Sequence, residues 1–321
     1  MSGTFPMVIV LDPEPDAWPG FYSALRAAAG DFIIFHSLEE LLQEVSNYRA
    51  PILLLDTVEL QRSSSSAVAH LIDLRQSARI GLISGAPFEE FLFDLRRWGL
   101  LNVLVKCPPV QEEDVRTFID CSRSPENGFG LYRYLISTVE MYSQSVSTLE
   151  EKNRAIERVI NHFATSGFDV HGLFDVRLIL EETLNNALFH AFRTVTGEEK
   201  YSVRTFRCLE EGERVRLEYG NGAGILGFSV TDNAGTLPIK TIINKLERQH
   251  NKEGLFDEGG RGLYLSRMLS TAFVINVEEN KRTQVVALFD DRRRLDRPKP
   301  FLVNFVGRDT FDDWRLDPEL D

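Results

Sequence analysis

LILEETLNNALFHAF, residues 178–192, decides how the second half of this 321-residue chain folds. Glu182, Asn186 and His190 are spaced four residues apart, so on a helix they lie along one polar stripe. Apolar residues such as Leu184 and Ala187 flank that stripe. The pattern predicts a helix over about 173–192 whose polar stripe either faces solvent or binds a ligand such as a magnesium nucleotide.

A second segment, FSVTDN at residues 228–233, has the composition of a strand and ends in Asp232. A carboxylate at a strand end can accept a hydrogen bond from the exocyclic amine of adenine. The small residues Ala234 and Gly235 follow, and they let a backbone pass close to a base. An ordinary turn is the alternative interpretation.

A third segment, EGGRGLYLSRML at residues 258–269, contains Gly259, Gly260 and Gly262 where a helix is expected to begin. Free backbone amides and the helix dipole suit the phosphates of a nucleotide at such a position. Strands are expected near residues 201–207, 213–219, 226–231, 272–278 and 283–289. Together these elements predict an α+β unit with a nucleotide site.

The segment from about 163 to 289 resembles the ATPase domain shared by histidine kinases, gyrase-type ATPases and anti-sigma-factor serine kinases. Glu182-x-x-x-Asn186-Ala187-x-x-His190 is similar to the asparagine box of that family, Asp232-Asn233-Ala234-Gly235 to its first glycine box and Gly260-Arg261-Gly262-Leu263 to its second. The resemblance implies an α+β sandwich that binds ATP and Mg²⁺, with Asn186 on Mg²⁺ and Asp232 on adenine. The further ATP-binding residues it implies are His190, Gly235, Gly260, Arg261, Gly262 and Thr283.

Two features complicate this resemblance. Ala234 and Thr236 stand where the first glycine box usually has glycine, which predicts a lower affinity for adenine nucleotides. Glu181 and Asn185 offer a competing register for the asparagine box, although only the Glu182 register continues to an alanine and a histidine. Residues 236–258 correspond to the mobile lid of the family.

The resemblance also suggests a reaction. A glutamate four residues before the magnesium asparagine takes a proton from an attacking hydroxyl or water in this family, which makes Glu182 the expected general base. His162 and His171 lack the sequence context of a histidine autokinase. We therefore expect an ATP-dependent serine/threonine kinase of the anti-sigma type, acting on an anti-sigma antagonist or a sigma factor. A non-catalytic, nucleotide-gated partner-binding module is the alternative, which Ala234 and Thr236 favour.

The N-terminal 124 residues alternate short apolar runs with helical stretches, which predicts a doubly wound parallel sheet. The predicted strands are residues 7–11, 32–35, 52–56, 80–84 and 102–105. In such sheets function collects at the carboxyl ends of the strands. Those ends carry Asp12, Asp56, Ser84 and Lys106.

This region resembles the receiver domain of two-component response regulators. The resemblance implies Asp56 as phosphoacceptor, Mg²⁺ on Asp12 and Asp56, Ser84 and Lys106 as switch residues, and an upstream sensor kinase as partner. Pro13, Val103 and Cys107 depart from the receiver pattern, and Pro13 replaces a second acid. The domain is therefore expected either to accept a phosphoryl group, with the ATPase domain as its output, or to act as a pseudo-receiver.

Residues 125–166 repeat apolar residues at steps of three and four, from Tyr132 to Phe163, with Asn153 at a heptad a position. This pattern predicts a helical linker that forms a parallel homodimeric coiled coil. In the alternative, part of the helix packs on its own ATP-binding domain and Asn153 is exposed. The ATP-binding domain is then expected at 167–290, followed by a tail at 291–321 in which PFLVNFV resembles an edge strand.

The composition limits the partners and the compartment. A formal net charge of −12 repels phosphate backbones, so nucleic acid is not an expected partner. The apolar runs of the chain are all shorter than the roughly 18 residues that a membrane-spanning helix needs. The three cysteines, Cys107, Cys121 and Cys208, are far apart in the sequence and form no paired pattern. We therefore expect a cytoplasmic protein without a membrane partner.

Overall fold

The computed structural model describes residues 7–74, 79–98, 100, 102–108, 110–135, 137–250, 261–290 and 298–306. These residues form two compact units. One contains residues within 7–128 and 298–302, and the other contains residues within 129–290 and 303–306. Across the described ranges, no helix combines the length and the apolar character that crossing a membrane requires.

Among the described residues of the first unit, five strands form a parallel sheet. They are β1 (Val8–Leu11), β2 (Phe32–Phe35), β3 (Ile52–Asp56), β4 (Arg79–Ser84) and β5 (Val103–Val105). Their order is β2-β1-β3-β4-β5, and each neighbouring pair is parallel. The predicted parallel sheet is confirmed, and the order 2-1-3-4-5 is typical of a doubly wound fold.

Helices connect these strands. They are α1 (Pro19–Ala29), α2 (Leu38–Glu44), α3 (Thr57–Arg62), α4 (Ser65–Asp73), α5 (Leu92–Trp98) and α6 (Glu112–Arg123). All residues of β1 and β3 are buried, which requires cover on both faces of the sheet. The carboxyl ends of β1, β3 and β4 therefore lie at one edge of a buried sheet, as the sequence predicted.

The second unit contains an antiparallel sheet with helices. Its strands are β6 (Thr138–Ser145), β7 (Val215–Gly222), β8 (Ile225–Asp232), β9 (Ala272–Glu278) and β10 (Arg282–Asp290), in the order β9-β10-β8-β7-β6. Its helices are α7 (Leu149–Thr165), α8 (Val170–Asn185), α9 (Ile239–His250) and α10 (Arg261–Leu269). Every neighbouring pair of these strands is antiparallel.

A last strand, β11 (Phe301–Val306), begins with Phe301, which lies in the first unit antiparallel to Val103 of β5. Residues 303–306 belong to the second unit, where the backbone N–H of Glu279 donates to the carbonyl of Val306 at 3.2 Å. The strand suggested by PFLVNFV is therefore present. The remainder of the predicted tail lies outside the described residues.

The prediction of one continuous helix through residues 125–166 is wrong. Residues 138–145 form strand β6, and the helix begins only at Leu149. Tyr142 lies opposite Tyr219 of β7, and their rings stack with centroids 5.2 Å apart. Pairing with a distant strand has overridden the local helical spacing. The argument for a homodimer, which depended on a continuous seam, no longer holds.

The alternative prediction for this helix agrees with the structure. Asn153 is exposed, whereas Ala155, Ile156, Val159 and Phe163 are buried within the second unit. Helix α7 packs against α8 of the same unit. The apolar residues of α7 thus serve the core of their own domain.

Residues 129–135, upstream of β6, lie against the sheet of the second unit. The backbone N–H of Gly130 donates to Oε1 of Gln284 at 3.0 Å, and Nδ2 of Asn276 donates to the hydroxyl of Tyr134 at 3.0 Å. These side chains are buried, so the hydrogen bonds satisfy groups that would otherwise destabilise the fold. Burial and polar pairing explain why this stretch is not a solvent-exposed coiled coil.

The predicted strand near 201–207 is absent from the described structure. The backbone N–H groups of Thr205 and Phe206 both donate to the carbonyl of Ser202, which forms a turn. The ring of Phe206 then packs edge-to-face against that of Phe189 at 5.3 Å. This aromatic contact favours a compact loop over an extended strand.

Candidate nucleotide-binding site

Asp232 ends strand β8, and its side chain is buried. Its Oδ1 accepts hydrogen bonds from the backbone N–H groups of Ala234 at 2.9 Å and Gly235 at 3.1 Å. Burial raises the pKa of Asp232, while these two bonds and one from the backbone of Thr283 act in the opposite direction. A buried carboxylate at a strand end, held by its own loop, suits recognition of a ligand N–H group.

Gly235 has a positive φ of 64°, a conformation that side chains rarely adopt. A Cβ there would collide with the carbonyl oxygen of Glu278 and lie 2.6 Å from the backbone nitrogen of Lys281. Because these are backbone atoms in a tight turn, they cannot move aside easily. Glycine is therefore required at this position of the loop that follows Asp232.

Thr236 has a structural partner of its own. Its hydroxyl donates to the carbonyl of Ala191, the residue that follows the last turn of the α8 region. This bond ties the loop after Asp232 to the helix that carries Glu182 and Asn186. The threonine that departs from the family pattern thus has a role in joining the two halves of the site.

Thr283 lies directly opposite Asp232, because β10 pairs antiparallel with β8 in that register. Its side chain is buried. Residues opposite each other in adjacent strands are close enough to contact a common ligand atom. The register therefore brings Thr283 to the same end of the candidate site as Asp232.

Glu182 and Asn186 lie on the α8 region, where residues Asn186–His190 form one wider, π-helical turn. Such turns are rare and often occur at functional sites. Both side chains are half-buried, and neither makes a hydrogen bond within the described part of the chain. His190 differs, since its Nδ1 lies 2.9 Å from Oε1 of Glu199 and its side chain is about half-exposed.

Glu182 approaches the start of α10. A Cβ on Gly262 would lie 2.9 Å from Cβ of Glu182 and 3.1 Å from its carboxyl carbon. Glycine at 262 therefore permits close packing of α10 on α8. Gly260 lies outside the described residues, as does the side chain of Arg261, so the structure places Gly262 and Leu263 of the predicted second glycine box.

Two lysines near Glu182 were not predicted from the sequence. Lys152 of α7 and Lys245 of α9 both interact electrostatically with the Glu182 carboxylate. Burial lowers the pKa of Lys152, while Glu181 and Glu182 act to raise it. Burial also lowers the pKa of Lys245. Neither lysine belongs to a recognisable motif, and only the packing of three helices brings them to the glutamate.

The first unit has a separate polar cluster at the carboxyl ends of its strands. Nζ of Lys106 lies 3.1 Å from Oδ2 of Asp12 and 2.6 Å from Oδ2 of Asp56. All three side chains are almost completely buried. The hydroxyl of Tyr22 also donates to Oδ2 of Asp12 at 2.7 Å, and burial followed by this bond raises the pKa of Tyr22 far above its usual range.

The other oxygens of these carboxylates bind backbone groups. Oδ1 of Asp12 accepts from the N–H of Glu14 at 3.1 Å. Oδ1 of Asp56 accepts from the N–H of Glu59 at 3.0 Å, which caps helix α3. Ser84 is buried, and its hydroxyl donates to the carbonyl of Ala86 at 3.0 Å. The sequence-predicted residues Asp12, Asp56, Ser84 and Lys106 thus lie together in one closed cluster.

The second unit contains the part of the chain that matches a known family. Residues 146–289 match the family model described as the histidine kinase-like ATPase domain, a match that runs from the residues before α7 to the end of β10. The chain therefore contains a histidine kinase-like ATPase domain, and domains of this kind bind ATP, usually with Mg²⁺. A search of curated proteins found no match to this chain.

Proposed function

We propose that this protein is an ATP-dependent serine/threonine protein kinase of the anti-sigma-factor type, with Glu182 as general base. Its partner would be an anti-sigma antagonist or a sigma factor. The observation that carries the proposal is the position of Glu182, whose carboxyl group lies beside Gly262 at the start of α10. Phosphates commonly bind at a helix start, so this position supports a role for Glu182 at the terminal phosphate of ATP.

The residues present suit Mg²⁺ and ATP. Asn186 offers an amide oxygen, and oxygen ligands are those that Mg²⁺ prefers. Asp232 and Thr283 lie opposite each other in adjacent strands and suit the adenine ring. Mg²⁺, when bound with ATP, neutralises charge on the phosphates.

The register with Asn186 on Mg²⁺ is favoured over the register with Asn185. Oδ1 of Asn185 accepts a hydrogen bond from Nζ of Lys152 at 2.6 Å. An oxygen held by an ammonium group is a poor ligand for a second cation. Asn186 makes no hydrogen bond with the described residues, so its amide oxygen is available.

In the proposed reaction, the hydroxyl oxygen of a partner serine or threonine attacks the γ-phosphorus. Glu182 accepts the hydroxyl proton as the new phosphorus–oxygen bond forms and the bond to ADP breaks. Because residue 262 is a glycine, the Glu182 carboxyl group can lie against the start of α10. Asp232 holds the nucleotide at its other end.

The test is Glu182→Gln, which keeps the shape of the side chain and removes the base. Transfer of labelled γ-phosphate from ATP to candidate antagonist proteins should fall about 100-fold or more, the usual contribution of a general base. Binding of Mg-ATP, measured in parallel by calorimetry, should change little. Equal transfer by the variant and the unaltered protein would remove the kinase assignment.

A nucleotide-gated, non-catalytic module is the second candidate, and Thr236 favours it. Its hydroxyl bond to Ala191 couples the loop after Asp232 to the helix that carries Asn186. Nucleotide binding at one end could then alter a partner-binding surface without chemistry. This candidate predicts partner binding that depends on ATP but is insensitive to Glu182→Gln.

The response-regulator alternative receives less support. Both oxygens of Asp56 accept hydrogen bonds, one from Lys106 and one from the backbone of Glu59, and the residue is 2% exposed. Each oxygen keeps a second lone pair, but a phosphoacceptor must also be reached by its donor, and burial opposes that access. We therefore propose that the first unit is receiver-like in fold and regulates the kinase by docking or sensing, without phosphorylation of Asp56.

A further inference from the structure

The first turn of α7 is fixed rigidly beside the proposed catalytic helix. Oγ1 of Thr148 accepts from the backbone N–H of Glu151 at 3.2 Å, and the Glu151 carboxylate accepts from the backbone N–H of Ser147 at 2.7 Å. This pair is a variant of the capping box, in which Glu151 reaches the residue before the N-cap Thr148. Lys152 follows at once, so its backbone is well anchored.

The side chain of Lys152 reaches from α7 to α8. Its Nζ donates to Oδ1 of Asn185 at 2.6 Å, and both groups are partly buried. Asn185 lies three residues after Glu182, within one helical turn. The charge of Lys152 also acts on the carboxylates of Glu181 and Glu182. One ammonium group thus binds the amide of Asn185 and attracts the carboxylates of Glu181 and Glu182 on the same helix.

We infer that Lys152 is a positioning residue for Glu182, because its bond to Asn185 fixes the turn of α8 that carries Glu182 against α7. The inference rests on the proposed kinase function. Lys152 acts through its bond to Asn185 and its attraction for Glu182. A charge-assisted bond of this kind restricts the side chains around it more strongly than a neutral one.

A purely structural link between α7 and α8 exists elsewhere. Nη1 and Nη2 of Arg177 on α8 bind the two carboxylate oxygens of Glu157 on α7 at 2.8 and 2.9 Å, at an exposed position. This pair joins the same two helices without contacting Glu182 or Asn185. Arg177 is therefore a matched control for a lysine whose effect is expected on catalysis.

The experiment compares Lys152→Met, Lys152→Arg and Arg177→Met in the full chain, with phosphate release from Mg-ATP as the readout. Lys152→Met keeps the aliphatic stem and removes the charge. It should lower kcat about tenfold or more, because small displacements of a catalytic group have large effects, while the Kd for Mg-ATP stays within about twofold. Lys152→Arg should recover most of the activity, and Arg177→Met should retain all of it.

Three results would contradict the assignment. An unchanged kcat in Lys152→Met would remove the positioning role. Weaker ATP binding at constant kcat would instead make Lys152 a phosphate ligand. An equal loss of kcat in Arg177→Met would show that Lys152 only holds α7 and α8 together. If the unaltered protein transfers phosphate to a candidate antagonist but releases none to water, the same variants are compared by transfer. If it binds Mg-ATP and does neither, the proposed kinase function fails first, and this inference fails with it.

Discussion

The two units each gather acidic side chains near lysine, but they use them differently. In the first unit, Asp12 and Asp56 are almost fully buried and share the ammonium group of Lys106. In the second unit, Glu182 is half-buried and receives only longer-range attraction from Lys152 and Lys245. The first arrangement satisfies its charges within the fold, whereas the second leaves a carboxylate that a ligand can reach.

The difference shows how similar residue types can serve stability in one place and binding in another. Asp56 caps α3 through its Oδ1, so part of its hydrogen-bonding capacity belongs to helix α3. Glu182 makes no such bond within the described residues. Predicting a site from residue type alone cannot separate these cases, because the distinction depends on how many partners each oxygen has.

The largest difference in stability between the two units is expected for Lys106→Met. The substitution leaves two buried carboxylates without their shared cation, which should destabilise the first unit by about 3–5 kcal/mol. The same change at Lys152, which is only partly buried, should cost at most about 1 kcal/mol. Calorimetric unfolding of both variants measures the difference, and equal destabilisation would show that the two clusters are not distinct in kind.

A smaller effect is expected on ligand affinity when the pH is lowered and Asp232 takes up a proton. Because burial raises the pKa of this carboxyl, it takes up a proton at a higher pH than the ordinary aspartate value of about 4. Oδ1 already accepts from the backbone of Ala234 and Gly235, which leaves Oδ2 for the adenine amine. A proton on Oδ2 would remove that acceptor, so affinity should fall severalfold as the pH is lowered through the raised pKa.

Adenosine is the ligand for that measurement, since it has no phosphates that titrate in the same range. The control is Asp232→Asn, which should bind more weakly and lose the pH dependence attributable to this group. A binding curve for the unaltered protein that is flat down to the ordinary aspartate range would contradict the role given to Asp232.

Local pattern was sufficient for the parallel strands of the first unit and for the loop after Asp232. The nearly continuous apolar runs around Leu54 and Ile83 predict buried parallel strands, because each residue must be apolar when both faces are covered. Gly235 was predictable because its backbone conformation excludes other residues. In these cases the physical requirement acts on the residue itself.

Long-range pairing was not predictable in the same way. Residues 138–145 have helical spacing, yet the backbone pairs with β7 and Tyr142 stacks on Tyr219, which is 77 positions later (219 − 142) in the sequence. Likewise, Lys152 reaches the site only because α7 packs on α8. The Thr148-x-x-Glu151 capping box was a local signal for where α7 begins, and it would have corrected that boundary.

The most direct test of the account is a calorimetric titration of ATP into the full chain, with and without Mg²⁺. We expect saturable binding with a Kd below about 1 mM that depends on Mg²⁺ and is strongly weakened by Asp232→Asn. A folded protein that binds no adenine nucleotide at about 1 mM in the presence of Mg²⁺ would contradict the central claim.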